Sequence, residues 1–424
     1  MDETEETIFT WGATPLKFGA GALDEIGFEL SQYDVHRVLI ITDPGVHAIG
    51  IPQRIVDLLD ARGISAEVFD GVHVEPTDDS MDKAAGYARE QGPWDAFVAV
   101  GGGSALDTAK AVNLITTEGG ELIDYLNKPI GNARGPKGTL KPLFAVPTTA
   151  GTGSESTAMC VLDVLSMRVK TGISHWRLRP TLAIVDPLLT MTLPVEVTAA
   201  AGMDIVCHAL ESYTARWYGD YARKQPEERV TYCGANPVSD LWAERALRLI
   251  AESFRTAVHE GGIAARTKMM MAATFAGMGF GNAGVHIPHA NAYPIAGMVK
   301  DFRPSGYPQD EPIVPHGMAV SLTAPEAFRF SFSSAPERHV HAAQLLGSNA
   351  GRHDDPAEQL PSVLVSLMRD IGIPNGIGAV GYTVDDIPDL VPGTMKQQRL
   401  LSTCARTPTE DDIATIFANS MANW

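Results

Sequence analysis

Short apolar runs alternate with amphipathic stretches through the first half of the chain. Residues 38–42 (VLIIT) make one such run and stop at Asp43-Pro44-Gly45, a strong turn sequence. Residues 51–62 repeat apolar positions at helical spacing and end at Gly63. Residues 66–69 read as the next strand and 80–91 as a polar helix. Residues 96–100 form a buried strand that runs straight into glycines, and 144–146 and 182–185 are further strands. Strand and helix in alternation predict a parallel sheet covered by helices.

The pattern changes near residue 190. Residues 239–252, 264–278 and 361–371 carry the helical period, and strand signals nearly vanish. Two domains are expected: an α/β nucleotide-binding domain over 1–190 and an all-helical metal-binding, catalytic domain over 191–424. Residues 219–237 and 300–315 are rich in Pro, Gly, Tyr and charge, and predict long loops of the kind used as lids or interfaces.

A chain of 424 residues has room for two or three domains and a full core. Hydrophobic residues at 45% fit a globular protein. A formal charge of −18 argues against nucleic acid and anionic membranes as partners. Cys160, Cys207, Cys233 and Cys404 show no CxxC spacing, which fits a reduced cytosol better than a disulfide framework. The start, Met1 to Glu6, is acidic, with no apolar signal segment and no Arg-rich leader, so a cytoplasmic protein is expected. No apolar run is long enough to span a bilayer.

Candidate chemistry begins at Gly101-Gly102-Gly103-Ser104, after a strand and before a helix. Glycines let the backbone approach a pyrophosphate, and free helix N–H groups bind its charge. The loop is not GxGxxG, so a tight strand-to-helix turn stays open as the plain alternative. A second loop of small hydroxyl residues, Pro147-Thr148-Thr149-Ala150-Gly151-Thr152-Gly153, follows another strand and strengthens the nucleotide reading. Asp43 ends the first strand, where a carboxylate can hold ribose hydroxyls and repel a 2′-phosphate. Its plain alternative is the turn itself.

Further on, Asp204 and His208 lie four apart, on one face of a predicted helix. His289 and His316 follow, in His286-Ile287-Pro288-His289 and Pro315-His316-Gly317. Three imidazoles and a carboxylate suit Fe, Zn, Ni or Co. A helix hydrogen bond between Asp204 and His208 is the alternative.

Taken together, GGGSxxDxAK at 101–110, PTTAGTGSE at 147–155, and the Asp204/His208 helix followed by His289 and PHG at 315–317 resemble the iron-containing (group III) alcohol dehydrogenases over nearly the whole chain. Residues 170–175, 236–243, 281–286, 293–295 and 381–388 resemble the hydroxyacid–oxoacid transhydrogenase branch. The resemblance implies an α/β nucleotide domain and an all-helical metal domain of the dehydroquinate synthase-like fold. It implies Asp204, His208, His289 and His316 as metal ligands. Asp43, Gly102, Gly103, Ser104, Thr148, Thr149, Thr152 and Lys170 would contact NAD(H), with Asp107 a weaker transfer. The metal would be Fe2+, with Zn2+ the alternative.

One departure matters. Many family members have a histidine four residues after the third ligand, where this chain has Tyr293. His286 stands three residues before that ligand instead. Both are candidates for proton transfer or substrate orientation, with a satisfied core histidine as the other reading of His286.

The implied reaction pairs 4-hydroxybutyrate with 2-oxoglutarate, giving succinate semialdehyde and 2-hydroxyglutarate. A plain NAD(H)-dependent alcohol dehydrogenase or aldehyde reductase is the second reading, and a dehydroquinate-synthase-like lyase the third. Carboxylate substrates need an anchor, for which Arg179, Lys300, Arg303 and His286 are candidates. Partners are expected to be small molecules and further copies of the chain, in a homo-oligomer.

Overall fold

The computed structural model describes residues 5–167, 169–347 and 355–424. It divides into two compact units, one of Gly12–Thr192 and one of Met1–Trp11 with Leu193–Trp424.

The first unit holds a six-stranded sheet built from β1 (Leu16–Phe18), β2 (Arg37–Ile41), β3 (Ser65–Phe69), β4 (Ala96–Gly101), β5 (Leu143–Pro147) and, after a hairpin of β6 (Met159–Val164) and β7 (Val169–Ser174), β8 (Leu182–Val185). The strand order is β1-β8-β5-β4-β2-β3, and every pairing within it is parallel. The hairpin is antiparallel.

Alternation of side chains explains why the central strands read as unbroken apolar runs. Leu39, Ile41, Phe97 and Ala99 face one core, with Met81, Leu106 and Val112 from covering helices. Val38, Ile40, Ala96, Val98 and Val100 face the other, with Leu23, Ile26, Ile55 and Leu59. A parallel sheet covered on both faces leaves no solvent-facing positions to break the run.

The second unit is helical. Val195–Thr214, Pro237–His259, Ile263–Ala283, Ile287–Gly297 and His316–Leu322 are its site-bearing and supporting helices. Its described residues contain no strand, only isolated bridges such as Trp217 with Ala235. Small residues set the close approaches. A Cβ on Gly202 would overlap the Phe254 ring at 2.0 Å. Residues 219–236 contain only short turns of helix, with the long helix starting at Pro237, and 300–315 contain none, as a Pro- and Gly-rich composition dictates. No described helix is long and apolar enough to cross a membrane.

Candidate metal centre and nucleotide loops

In the first unit, the ends of three adjacent strands carry the candidate nucleotide residues. Asp43 follows β2, Gly101 to Ser104 follow β4, and Thr148 to Thr152 follow β5. Ligands of open α/β sheets bind outside the carboxyl ends of such strands, where the strand order reverses. The loops touch. A Cβ on Gly101 would sit 3.1 Å from Asp43 Oδ2, and one on Gly103 would sit 2.7 Å from Thr152 Cγ2. Gly101 also has φ 150, a conformation that side chains disfavour. The helix Gly103–Glu118 starts at Gly102, which has no side chain to cap it, the kind of helix start that suits an anion.

Asp43 has a second task. Its Oδ1 accepts from the Val46 amide at 3.0 Å and caps the Pro44–Ala48 helix, leaving Oδ2 toward the glycines. Ser104 Oγ accepts from the Glu75 amide at 3.2 Å. Lys170 is buried on β7 between two carboxylates, Glu75 at 2.5 Å and Asp163 at 3.1 Å. Glu75 has φ 58, rare for a residue with a side chain.

Asp107 points into the protein. It accepts from Ser154 Oγ at 2.5 Å and the Val161 amide at 2.9 Å. Lys110, fully buried beside it, donates to the Ser154 and Met159 carbonyls. These two residues of the glycine motif brace the second loop from behind.

In the helical unit, Asp204, His208 and His289 offer ligand atoms that all lie within 4.8 Å of one another. Asp204 Oδ1 is 3.7 Å from His208 Nε2, 3.5 Å from His289 Nε2 and 3.8 Å from His316 Nε2. His316 reaches Asp204 from the first position of its helix and, at 26% exposure, is the only one of the four open to solvent. Glycine permits that approach: a Cβ on Gly317 would stand 2.1 Å from the Ala200 carbonyl. His208 stacks on Phe280, with centroids 3.8 Å apart, which fixes its ring.

Glu211 completes the cluster. It follows Asp204 by seven residues and His208 by three, so helical geometry sets all three on one face. Its Oε1 accepts from His289 Nδ1 at 2.6 Å, and its Oε2 accepts from the His286 amide at 2.5 Å. A proton on Nδ1 leaves the His289 Nε2 lone pair facing Asp204. Sequence reading missed Glu211, because helical spacing alone does not tell a carboxylate aimed at a neighbouring helix from one on a solvated face.

Electrostatics describe a pocket for positive charge. Burial works to raise the Asp204 carboxyl, yet three imidazoles hold it well below the usual carboxylate range. Burial pushes His208 down to about 3. Burial also opposes charge on His289, but Glu211 and Asp204 outweigh it and push His289 up to about 9. The field that favours a proton on His289 also favours a cation in its place. Among the described residues, buried Asp204 Oδ1 and His289 Nε2 have no hydrogen-bond partner. Buried polar atoms are rarely left so, and a divalent cation between them would satisfy both. The carboxylate and imidazole donors therefore fit the expected metal.

His286 and Tyr293 flank His289 in sequence but differ in surroundings. The Thr214 hydroxyl donates to the Leu210 carbonyl at 2.8 Å, so it accepts from His286 Nε2 at 3.1 Å. The His286 ring is fully buried against Phe328, and burial pushes it down to about 4. Its amide, not its ring, joins the cluster. Tyr293 lies one turn beyond His289 on the same helix, at the edge of burial. Of the proposed anchors in this unit, Lys300 pairs with Asp386 at 2.6 Å and Arg303 bonds the Asp301 carbonyl of its own loop.

Comparison with known proteins gives the same outline. The profile described as iron-containing alcohol dehydrogenase matches residues 13–187, and its C-terminal counterpart matches 227–421. The mitochondrial hydroxyacid–oxoacid transhydrogenase of Rattus norvegicus is 42% identical over 99% of this chain and 91% of its own. The Homo sapiens protein of that name is 40% identical over the same shares. A solved 1,3-propanediol oxidoreductase superposes with a TM-score of 0.85 at 31% identity, covering 98% of this chain and 100% of its own. The sulfoacetaldehyde reductase of Bifidobacterium kashiwanohense, solved with NAD+, has a TM-score of 0.80 at 26% identity, covering 97% and 98%. The cytoplasmic expectation is corrected here, because these transhydrogenases are named as mitochondrial. Free cysteines fit any reducing compartment and so do not single out the cytosol.

Proposed function

The chain belongs to the iron-containing alcohol dehydrogenase family, and from that premise we propose that it works as a metal-dependent hydroxyacid–oxoacid transhydrogenase. The observation that carries the metal-dependent part is Asp204 Oδ1 facing three imidazole Nε2 atoms at 3.5 to 3.8 Å, with Glu211 behind. The relatives' shared name and their identity over nearly the whole chain support the choice of reaction.

Asp204, His208, His289 and His316 would hold the metal, for which Fe2+ suits both the donor set and the family. Asp43, Gly102, Gly103, Ser104, Thr148, Thr149 and Thr152 would hold NAD, with Lys170 near its ribose. Bound there, the ion would supply Lewis acidity toward the substrate oxygen and NAD the capacity for hydride transfer. We assign Asp107 to positioning the second loop, since its oxygens are engaged by Ser154 and Val161.

The residues of the chain do the rest. The helix start at Gly103 directs N–H groups at a pyrophosphate, and Asp43 Oδ2 accepts from ribose hydroxyls. Glu211 keeps the proton on His289 Nδ1 and so keeps Nε2 free to ligate. Tyr293 is our choice for proton transfer or substrate orientation, because the His286 Nε2 proton is held by Thr214.

A paired assay tests the reading. The purified protein, with no added NAD, is incubated with 4-hydroxybutyrate alone and with 2-oxoglutarate. Succinate semialdehyde and 2-hydroxyglutarate in equal amounts, and only with the oxoacid, are expected. Turnover that needs added NAD and ignores the oxoacid would assign a plain dehydrogenase instead.

A further inference from the structure

The first unit holds a cavity of about 430 Å3 on the far side of the sheet from the nucleotide loops. Its wall includes Leu143, the first residue of β5, and Thr181, which precedes β8. It therefore lies at the amino ends of strands whose carboxyl ends carry the candidate nucleotide residues. The five residues of β5 keep the two regions roughly 13 Å apart.

The charge of this cavity is one-sided. Lys110, Lys141, Arg177 and Arg179 line it, and among the described residues its wall has no aspartate or glutamate. Two other cavities of this acidic chain mix their charges. Arg329 and Arg369 share one with Glu358 and Asp370, and Lys224 and Arg229 share another with Glu6.

The cations are held in place by neutral partners. Arg177 Nη1 donates to the Pro136 carbonyl at 2.8 Å and the Lys137 carbonyl at 3.1 Å, and its guanidinium carbon lies 4.7 Å from the centre of the Trp176 ring. Lys141 Nζ donates to the Trp94 carbonyl. Among the described residues, neither Lys141 nor Arg177 forms an ion pair with a carboxylate. Acids of the adjoining segments are turned to backbone amides instead. Glu118 accepts from the Gly138 amide at 2.7 Å, and Asp95 accepts from the His36 and Arg37 amides at 2.9 Å. Lys110 is committed to Ser154, Thr157 and Met159, with Asp107 at 3.6 Å, so Lys141 and Arg177 supply the field of the cavity, with Arg179 beside them. Burial works against charge on Arg179, a cost that a nearby anion offsets.

We propose that this cavity binds a small molecule through a phosphate or carboxylate group, at a site separate from the nucleotide loops. Its volume is that of a small-molecule pocket. A guanidinium fork takes two oxygens of such a group in parallel, and an ammonium adds a point charge. Anchoring of Arg177 on Trp176 and on two carbonyls lowers the entropy lost on binding. In a protein of net charge −18, a local patch of this sign is what lets an anion approach at all. The site does not depend on which reaction the chain catalyses.

The test is isothermal titration calorimetry of the NAD-saturated, metal-loaded protein at fixed ionic strength, so that the nucleotide loops are already filled. Inorganic phosphate and tricarballylate are the probes. Saturable binding is expected, and the probe that binds more tightly identifies the group recognised. Arg177→Gln and Lys141→Met should each weaken that binding at least about 10-fold. Arg369→Gln changes the net charge equally, in one of the mixed cavities, and should bind like the wild type. No saturable binding of either probe overturns the proposal. Binding that both cavity variants leave unchanged overturns it too, because the probe then sits elsewhere. Equal weakening by all three variants also overturns it, since a general effect of charge then suffices.

Discussion

Glu211 Oε1 lies 2.6 Å from His289 Nδ1, and both side chains are shut away from solvent. A carboxylate behind a ligating imidazole fixes its tautomer and strengthens it as a donor. Glu211→Gln keeps the volume but places one amide group against an N–H donor. We expect metal affinity to drop about 10- to 100-fold. Equilibrium dialysis against buffered metal measures it, and unchanged affinity would remove Glu211 from the centre.

Much of this was legible in the sequence, for identifiable reasons. β2, β4, β5 and β8 announced themselves because both faces of the sheet are covered, so their residues form unbroken apolar runs. β1 escaped because Leu16–Phe18 is too short to show a pattern. The hairpin escaped because Asp163, Lys170 and Gly172 interrupt its apolar positions. Asp204 and His208 were visible through spacing four apart. Glu211 was not, because a glutamate on a helix ordinarily reads as a solvated face, and only tertiary contact aims it at His289. Asp107 and Lys110 sit inside a legible motif, yet which helix face is buried depends on the sheet they pack against.

Asp43 ought to set cofactor choice. Its Oδ2 faces Gly101, and a 2′-phosphate brought near it is repelled. Wild type should use NAD in preference to NADP, and Asp43→Gly should narrow the ratio of kcat/KM values. Loss of the Val46 cap costs only a few tenths of a kcal/mol when the replacement is glycine, about 0.3. A wild type that favours NADP refutes the assignment.

His286 and Tyr293 can be separated kinetically. His286→Gln should leave the pH profile of kcat in place, because its Nε2 proton is bound to Thr214 and its ring is buried. Tyr293→Phe should lower kcat by about 10²-fold or more if its hydroxyl moves a proton. Near-normal kcat for Tyr293→Phe across the pH range would leave proton transfer to water or to the substrate.

Acid should release residues 5–11. Glu6 is buried, which by itself raises its pKa, but it accepts from the Ile8, Lys224 and Thr7 amides and from Arg229, and its carboxyl falls from 4.5 to about 2. A depressed folded pKa gives stability that is full above the unfolded value and lost as pH falls through the folded one. Amide exchange in residues 5–11 should therefore accelerate between pH 4.5 and about 2. Glu6→Gln should show fast exchange already at neutral pH and no such acid step. A wild type whose exchange has no step in this window disproves the role given to Glu6.

Gly317 is the most demanding position in the metal centre. The helix His316–Leu322 crosses Val195–Thr214 so closely that an added Cβ would lie 2.1 Å from the Ala200 carbonyl oxygen and 2.8 Å from Asp204 Cβ. Neither neighbour is a flexible side-chain end, so the backbone itself must separate. Overpacking of this kind costs about 1–3 kcal/mol. Separation would also draw His316 Nε2 away from Asp204 Oδ1, now 3.8 Å away. Gly317→Ala is therefore expected to lower both the unfolding midpoint in denaturant and the metal content. Gly297→Ala is the control, since nothing lies within 4 Å of a Cβ built there. It should bind metal like the wild type and unfold at an equal or higher denaturant concentration. If Gly317→Ala matches this control in both measurements, the contact between the two helices does not hold His316 against Asp204.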